Sequence, residues 1–370
     1  MAIALLATAC ADRGEDDADA GSSDVDSETL GSTPEDGEPS DPAAPVHVTA
    51  PGFDGLEITV GLLGDLSGDG AAVTGPVVAG HRAYWRYVNE RLGGVGAQYG
   101  VEVRTIDAGA DAEAAYDRAR DGVTVFAHVG DRALDAGVAG RLRDDGIVAS
   151  PGSRAARWTR DTGLLPVGAP EPAQVAFAQE WIERTSGAPL PAECVAVANG
   201  DTADALVADV VATGCEIVVL RGSYPDTATV VGAAARVEAA ARWVLLADGW
   251  APPLGRRPFR AYAEANVVVV QEETCAPACE PDRGATGEEL ADPWFRFGWT
   301  QARVIHAALE GAFESGDLGR ASLRMSAGAL GTVVLDGVMP SWAYADRRPP
   351  DRLVMNDVDG AVAGGLRPLR

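Results

Sequence analysis

EITVGLLGDLSGDGAAVTGPVVAGHRAYWRYVNERLGGVGAQYGVEV, residues 57–103, decides the fold. Its first eight residues, EITVGLLG (57–64), are a nearly continuous apolar run with the length of one buried strand. The segment GPVVAGHRAYWRYVNERLGG (75–94) carries its apolar residues at helical spacing. A second strand-like run, VEVRTID, occupies 101–107. Strand, helix and strand at this spacing predict a right-handed βαβ crossover.

The alternation continues outward. Strand-like runs recur at VTVFAHVG (123–130), IVAS (147–150), CVAVANG (194–200), EIVVLRG (216–222), RWVLLADG (242–249) and NVVVVQ (266–271). Runs this apolar suit strands buried on both faces of a parallel sheet. Between them, DTADALVADVVATG has helix punctuation, with Asp201 ahead and Gly214 behind. The expected class is α/β, doubly wound. Eight such strands exceed one compact sheet, and the Pro/Gly-rich stretch from Ala149 to Pro172 interrupts them. Two lobes follow, roughly 56–158 and 159–273. A loop (274–293) and a long helix, WFRFGWTQARVIHAALEGAFESG (294–316), come next, and periodicity alone does not assign that helix to a lobe.

The chain has 370 residues, 46% hydrophobic, enough to bury a core in each of two units. A formal net charge of −25 argues against a nucleic-acid partner, which needs a basic face. Lysine is absent, so all 30 basic residues are arginine. That excludes a lysine Schiff base, pyridoxal-phosphate chemistry and a Walker-type phosphate loop.

Met1 to Ala9 form a short apolar run ending at Cys10, followed by a polar stretch (11–50) rich in Asp, Glu, Ser, Gly and Pro. Such a stretch buries too little apolar area to offset its ordering entropy, so a disordered acidic tether is expected there. Small residues before a cysteine, behind an apolar run, resemble a bacterial lipoprotein signal, which would make Cys10 the lipidated residue. No basic residue precedes the run, as a start placed too far downstream would explain, and Ala7 stands where Leu is usual. Nine apolar residues cannot span a bilayer. The remaining cysteines, Cys194, Cys215, Cys275 and Cys279, are even in number, and in an exported chain that favours two disulfides. Cys194 and Cys215 each precede a strand of neighbouring βα units, while Cys275 and Cys279 could close a small ring. C-x-x-x-C without a nearby His is poor zinc spacing.

Enzyme motifs do not assemble. GLLGDLSGDG lacks the G-x-G-x-x-G spacing, and VASPGSRA lacks the G-x-S-x-G elbow. His47, His81, His128 and His306 lie one per element, away from metal-ligand spacing. Only His128, in a strand just before a loop, is placed for a pocket. No metal or cofactor is expected.

Five segments in order resemble the type I periplasmic binding fold, in particular the branched-chain amino-acid (Leu/Ile/Val) receptors of ABC importers. They are the opening stretch with its Leu-Ser-Gly loop and Asn89, GIVASPGSRA (146–155), LLPVGAPEPAQVAFAQEWI (164–182), FRFGWTQARVIHAALEGA (295–312) and VMNDVDGAV (354–362). The resemblance implies two discontinuous Rossmann-like lobes joined by three crossovers, 56–158 with 285–330 and 159–284 with 331–370. It also implies a non-enzymatic, extracytoplasmic, lipid-anchored and monomeric receptor, hinged around a small polar ligand such as an amino acid or related carboxylate, with an ABC permease as partner. The crevice rule for open α/β sheets independently puts a ligand at the carboxyl ends of the strands. The candidate ligand residues are therefore Ser67, Asp131, Arg132, Ser153, Arg154, Asp248 and Trp250.

Some of these depart from the receptors' pattern. Asp131 and Arg132 stand where a hydroxyl residue usually meets the ligand carboxylate, and Arg154 stands at a threonine position. Arginines there would suit an anion, because guanidinium forks pair with carboxylates. The alternative is that they simply pair with Asp131 or Asp135. An orphan sensor on the same fold, or an exported α/β enzyme, are the other functional classes to weigh.

Overall fold

The computed structural model describes residues 50–369 except Thr162, Arg257, residues 280–283 and the side chain of Arg132. Cys10, with the expected signal and nearly all of the expected tether, lies outside the described residues.

Four parallel strands make the first sheet: β1 (Glu57–Gly64), β2 (Gly100–Asp107), β3 (Val125–Val129) and β4 (Ala149–Pro151), in the order β2-β1-β3-β4. They alternate with α1 (Ala71–Tyr87), α2 (Ala112–Ala119), the short α3 (Asp131–Ala133) and α4 (Ala139–Asp144). Then α5 (Glu171–Ser186) leads to β5 (Val195–Val197), α6 (Ala203–Thr213), β6 (Ile217–Arg221), α7 (Tyr224–Arg236), β7 (Arg242–Leu245), α8 (Arg260–Asn266) and β8 (Val267–Glu272). After α9 (Gly287–Ala291), α10 (Pro293–Glu314) and α11 (Arg320–Ala329), β9 (Leu353–Val358) and β10 (Leu366–Pro368) complete a second sheet. Its order is β10-β9-β8-β7-β6-β5, parallel from β5 to β8 and antiparallel at β9 and β10.

The eight apolar runs are thus the eight parallel strands; the inner ones are buried on both faces, whereas the edge strands β2 and β5 are partly exposed. In β1, Ile58, Val60 and Leu62 join one apolar cluster while Leu63 joins another across the sheet. In the second sheet Val218, Leu220, Trp243 and Leu245 face α6, α7 and α8, whereas Val219 and Val244 face α5. Each such side chain contributes about 1.5–3 kcal/mol of transfer free energy.

α10 packs along α1 and its aromatic residues join the first cluster, so periodicity's unassigned helix belongs with the first sheet. Gly80 and Gly298 face the opposite helix at the crossing. A Cβ on Gly80 would lie 2.1 Å from the Phe295 carbonyl oxygen, and one on Gly298 2.1 Å from that of Val77. Residues 333–344 also pack on this cluster, and the chain then returns to supply β9 and β10. It crosses between the sheets three times. Asn89 acts as a surrogate strand at the end of α1: its Oδ1 accepts the Val101 N–H (2.9 Å) and its Nδ2 donates to the Val101 carbonyl (2.8 Å).

Disulfides join Cys194 to Cys215, with Cα atoms 5.8 Å apart, and Cys275 to Cys279. The first ties the starts of β5 and β6, closing a loop of 21 residues in sequence separation. Loop-closure entropy then predicts that Cys194→Ser/Cys215→Ser loses about 3 kcal/mol in urea unfolding, and reducing agent should reproduce the loss. An unchanged midpoint would mean that this bridge contributes nothing to stability.

Candidate functional site

The strands of both sheets direct their carboxyl ends at one cleft of about 510 Å³. The volume is in the range of small-molecule sites. Asp65, Asp131 and Ser153 follow β1, β3 and β4 on one wall, and Tyr224, Asp226 and Asp248 follow β6 and β7 on the other. Trp294, in the first turn of α10, also lines it. Asp292 caps that turn, accepting from the Trp294 N–H at 2.9 Å.

Ser67 is not among the lining residues. Its hydroxyl donates to Asp107 Oδ2 at 2.7 Å, which ties the β1–α1 loop to the end of β2. Ser67, with the Leu66 and Gly109 amides, holds the Asp107 carboxyl below its usual range. In the same loop Asp65 accepts from the Gly68 (2.8 Å) and Gly70 (3.1 Å) amides, so its carboxylate builds the turn.

Asp131 and Ser153 both line the cleft. Burial pushes the Asp131 carboxyl up to about 6, against the Ser153 hydroxyl bonded to it. Oδ1 of Asp131 is buried without a hydrogen-bond partner. The side chain of Arg132 lies outside the described residues.

Arg154 does not line the cleft. It is the centre of a buried ion cluster behind the wall, its side chain 2% exposed. Its Nε and Nη2 donate to the two oxygens of Glu272, at 2.5 and 3.1 Å. Nη1 donates to Asp248 Oδ1 at 2.6 Å, and the Arg154 backbone N–H to Asp248 Oδ2 at 2.8 Å. Its guanidinium also stacks 4.5 Å from the Phe297 ring centroid. Gly168 passes this cluster at φ +75°, where a Cβ would lie 2.4 Å from Glu272 Oε1. The expected pairing with a ligand anion is replaced by pairing with two internal carboxylates, neither of them Asp131 or Asp135. Asp135 instead pairs with Arg157.

Asp248 lines the cleft, with one oxygen on the Arg154 guanidinium and the other on its amide. Trp250 turns away into the second lobe's core, fully buried, and its carbonyl accepts from Trp294 Nε1 at 2.6 Å.

Two residues outside the candidate set matter. His128 lines the cleft and Gln301 of α10 lies behind it, Nδ1 of the ring 2.9 Å from Gln301 Oε1. Gln301 Nε2 donates to the Pro151 carbonyl at 2.7 Å, and a carbonyl only accepts, so the amide orientation is fixed. Gln301 Oε1 therefore accepts from His128 Nδ1–H and from His81 Nε2–H (3.2 Å). Burial drives His128 down to about 4 and His81 to about 3, so both rings are neutral at pH 7. The neutral Nδ1–H tautomer leaves His128 Nε2 as an acceptor. The position before a loop was a weak hint at this residue; its partner, 173 residues away, gave none.

No family model and no curated protein matches the sequence. Solved structures do match in fold. A fatty acid ABC transporter substrate-binding protein from Thermomonospora curvata is 16% identical with a TM-score of 0.76, covering 87% of this chain and 94% of its own. A branched-chain amino acid ABC transporter protein from Thermus thermophilus with bound valine is 14% identical, TM-score 0.63, covering 85% and 95%. A solute binding protein from R. palustris in complex with 4-hydroxybenzoate is 14% identical, TM-score 0.66, covering 85% and 96%. Two parallel-sheet lobes, three crossings and a cleft at the strand ends, shared with these structures over most of the chain, make this the type I periplasmic binding protein fold.

Proposed function

We propose that the protein is an extracytoplasmic solute receptor that takes a small polar ligand between its two lobes and delivers it to an ABC permease, with Cys10 as its lipid-bearing residue. The observation that carries this reading is the cleft itself. Strand ends from two separately cored lobes converge on it with buried polar groups, and Tyr224 packs against both cores. Two disulfides support an oxidising compartment. Among the described residues no helix is long and apolar enough to cross a membrane.

The test is a thermal-unfolding screen of the protein against amino acids, carboxylates, amides, sugars and amines. One class should raise the midpoint, since a ligand at a hundredfold excess over its Kd adds about 2.7 kcal/mol by mass action. The shift should fall away in Tyr224→Ala, which opens the cleft wall. A flat response to every class would remove the receptor reading.

A further inference from the structure

We infer that the cleft selects a small organic cation, an ammonium or guanidinium group seated against Asp131, rather than a carboxylate. This rests on the receptor reading above and narrows its ligand. Among the described residues five aspartates line the cleft and no arginine does. Lysine is absent from the chain, and the Arg154 guanidinium behind the wall is engaged by Asp248 and Glu272. A ligand carboxylate would therefore meet like charge with no side-chain counter-ion among the described residues.

Two polar groups left uncommitted on the cleft are acceptors. Asp131 Oδ1 is buried and unpartnered, and His128, 3% exposed, keeps Nε2 as a lone-pair acceptor in the tautomer Gln301 imposes. These two acceptors are satisfied by a ligand that brings donors, and an ammonium or guanidinium brings three or five of them. A buried carboxylate oxygen without a partner is costly, so a cationic ligand would satisfy Oδ1 of Asp131. The aromatic faces of Tyr224 and Trp294 on the same cavity suit a cation further. Asp65 and Asp226 add charge but are held by backbone amides, Asp65 in its own turn and Asp226 by the Gly200 N–H of the loop after β5.

The groups facing Asp131 are Ser153 beside it, Asp248 across the cleft, His128 on the same cavity, and Asp135 with Arg157 on its outer side. Asp248 is bound to Arg154, and His128 titrates near 4. Asp131, pushed up to about 6, changes charge between pH 7.5 and 5; burial also raises the Asp248 carboxyl, so the Asp131→Asn variant assigns the pH response.

Isothermal titration of the whole protein with choline, putrescine and agmatine, against leucine, glutamate, benzoate and glucose, tests this. A cation should bind at pH 7.5 and bind about tenfold more weakly at pH 5, because only about a tenth of Asp131 stays ionised one unit below its pKa. These cations keep their own charge over that range. Asp131→Asn should weaken binding at pH 7.5 at least tenfold and abolish the pH dependence, with the unliganded melting temperature unchanged or higher. Binding of leucine, glutamate, benzoate or glucose without the cations would overturn the inference and leave the receptor reading standing. Cation binding indifferent to both pH and Asp131→Asn would also overturn it. Silence across the panel would overturn both.

Discussion

Arg154→Leu is expected to lower the unfolding free energy at pH 7 by about 3–5 kcal/mol, the range for removing one partner of a buried ion pair. Arg154 (2% exposed) and Glu272 (0%) are both out of water, and Asp248 is 19% exposed. Without the guanidinium, Glu272 keeps the Ala169 N–H at 3.0 Å. Arg296 is nearby, but its Nη1 is bonded to the Leu290 carbonyl. The pH dependence gives the sign. Burial would raise the Glu272 carboxyl, but Arg154 outweighs it and holds the group below its ordinary 4.5. In the native protein that contribution is present above the unfolded pKa and is lost as pH falls through the folded one. In the variant burial acts without Arg154, the folded pKa lies above the unfolded one, and the penalty is relieved on acidification. Urea unfolding at pH 7, 5.5 and 4 should therefore show the gap between the two proteins closing. Arg154→Leu/Asp248→Asn/Glu272→Gln should recover most of the loss. A deficit below about 1 kcal/mol at every pH would show that the cluster does not behave as a buried ion pair.

This cluster also marks where reading the sequence stops. Position was legible: the crevice rule puts loops after strands around a ligand, and Asp131, Ser153 and Asp248 do line the cleft. Direction was not. Arg154 is one residue beyond Ser153, yet it points behind the wall to a carboxylate 118 residues away. A trace of that pairing was present in Glu272, a charge closing the apolar run VVVVQE (267–272) that nothing local neutralises. Trp250, two residues past Asp248, leaves the short 3-10 turn Ala247–Gly249 on its far side and fills the core beside Gly255 and Gly365. The same logic separates the strands found from those missed. Inner strands buried on both faces read as apolar runs and part-exposed VEVRTID was found by its β-branched alternation, whereas LVMNDV and LRP, antiparallel at the end of the sheet, carry Asn356, Asp357 and Arg367 and show neither signal.

Gly298→Ala and Gly80→Ala should each cost about 2–3 kcal/mol, although alanine is the better helix former by about 1 kcal/mol. The aromatic-Gly-aromatic pattern at 297–299 has a steric purpose: it lets α10 lie on the backbone of α1 at Val77, while Gly80 admits Phe295 and Trp299 from the other side. An added methyl meets main chain, which cannot rotate away, so the helices must part. One parting accommodates both methyls, and the double variant should cost less than the sum of the singles. Gly328→Ala, on the exposed side of α11 with nothing within 4 Å, is the control and should be neutral or slightly stabilising. Chemical unfolding of the four proteins decides the matter, and additive or negligible effects at the crossing would refute it. The crossing also reaches the cleft. Gln301 lies one turn beyond Gly298 and orients His128 while gripping the Pro151 carbonyl, so parting the helices loosens an acceptor on the cleft. Variants that remain folded should therefore bind ligand more weakly too, in proportion to how far α10 is displaced.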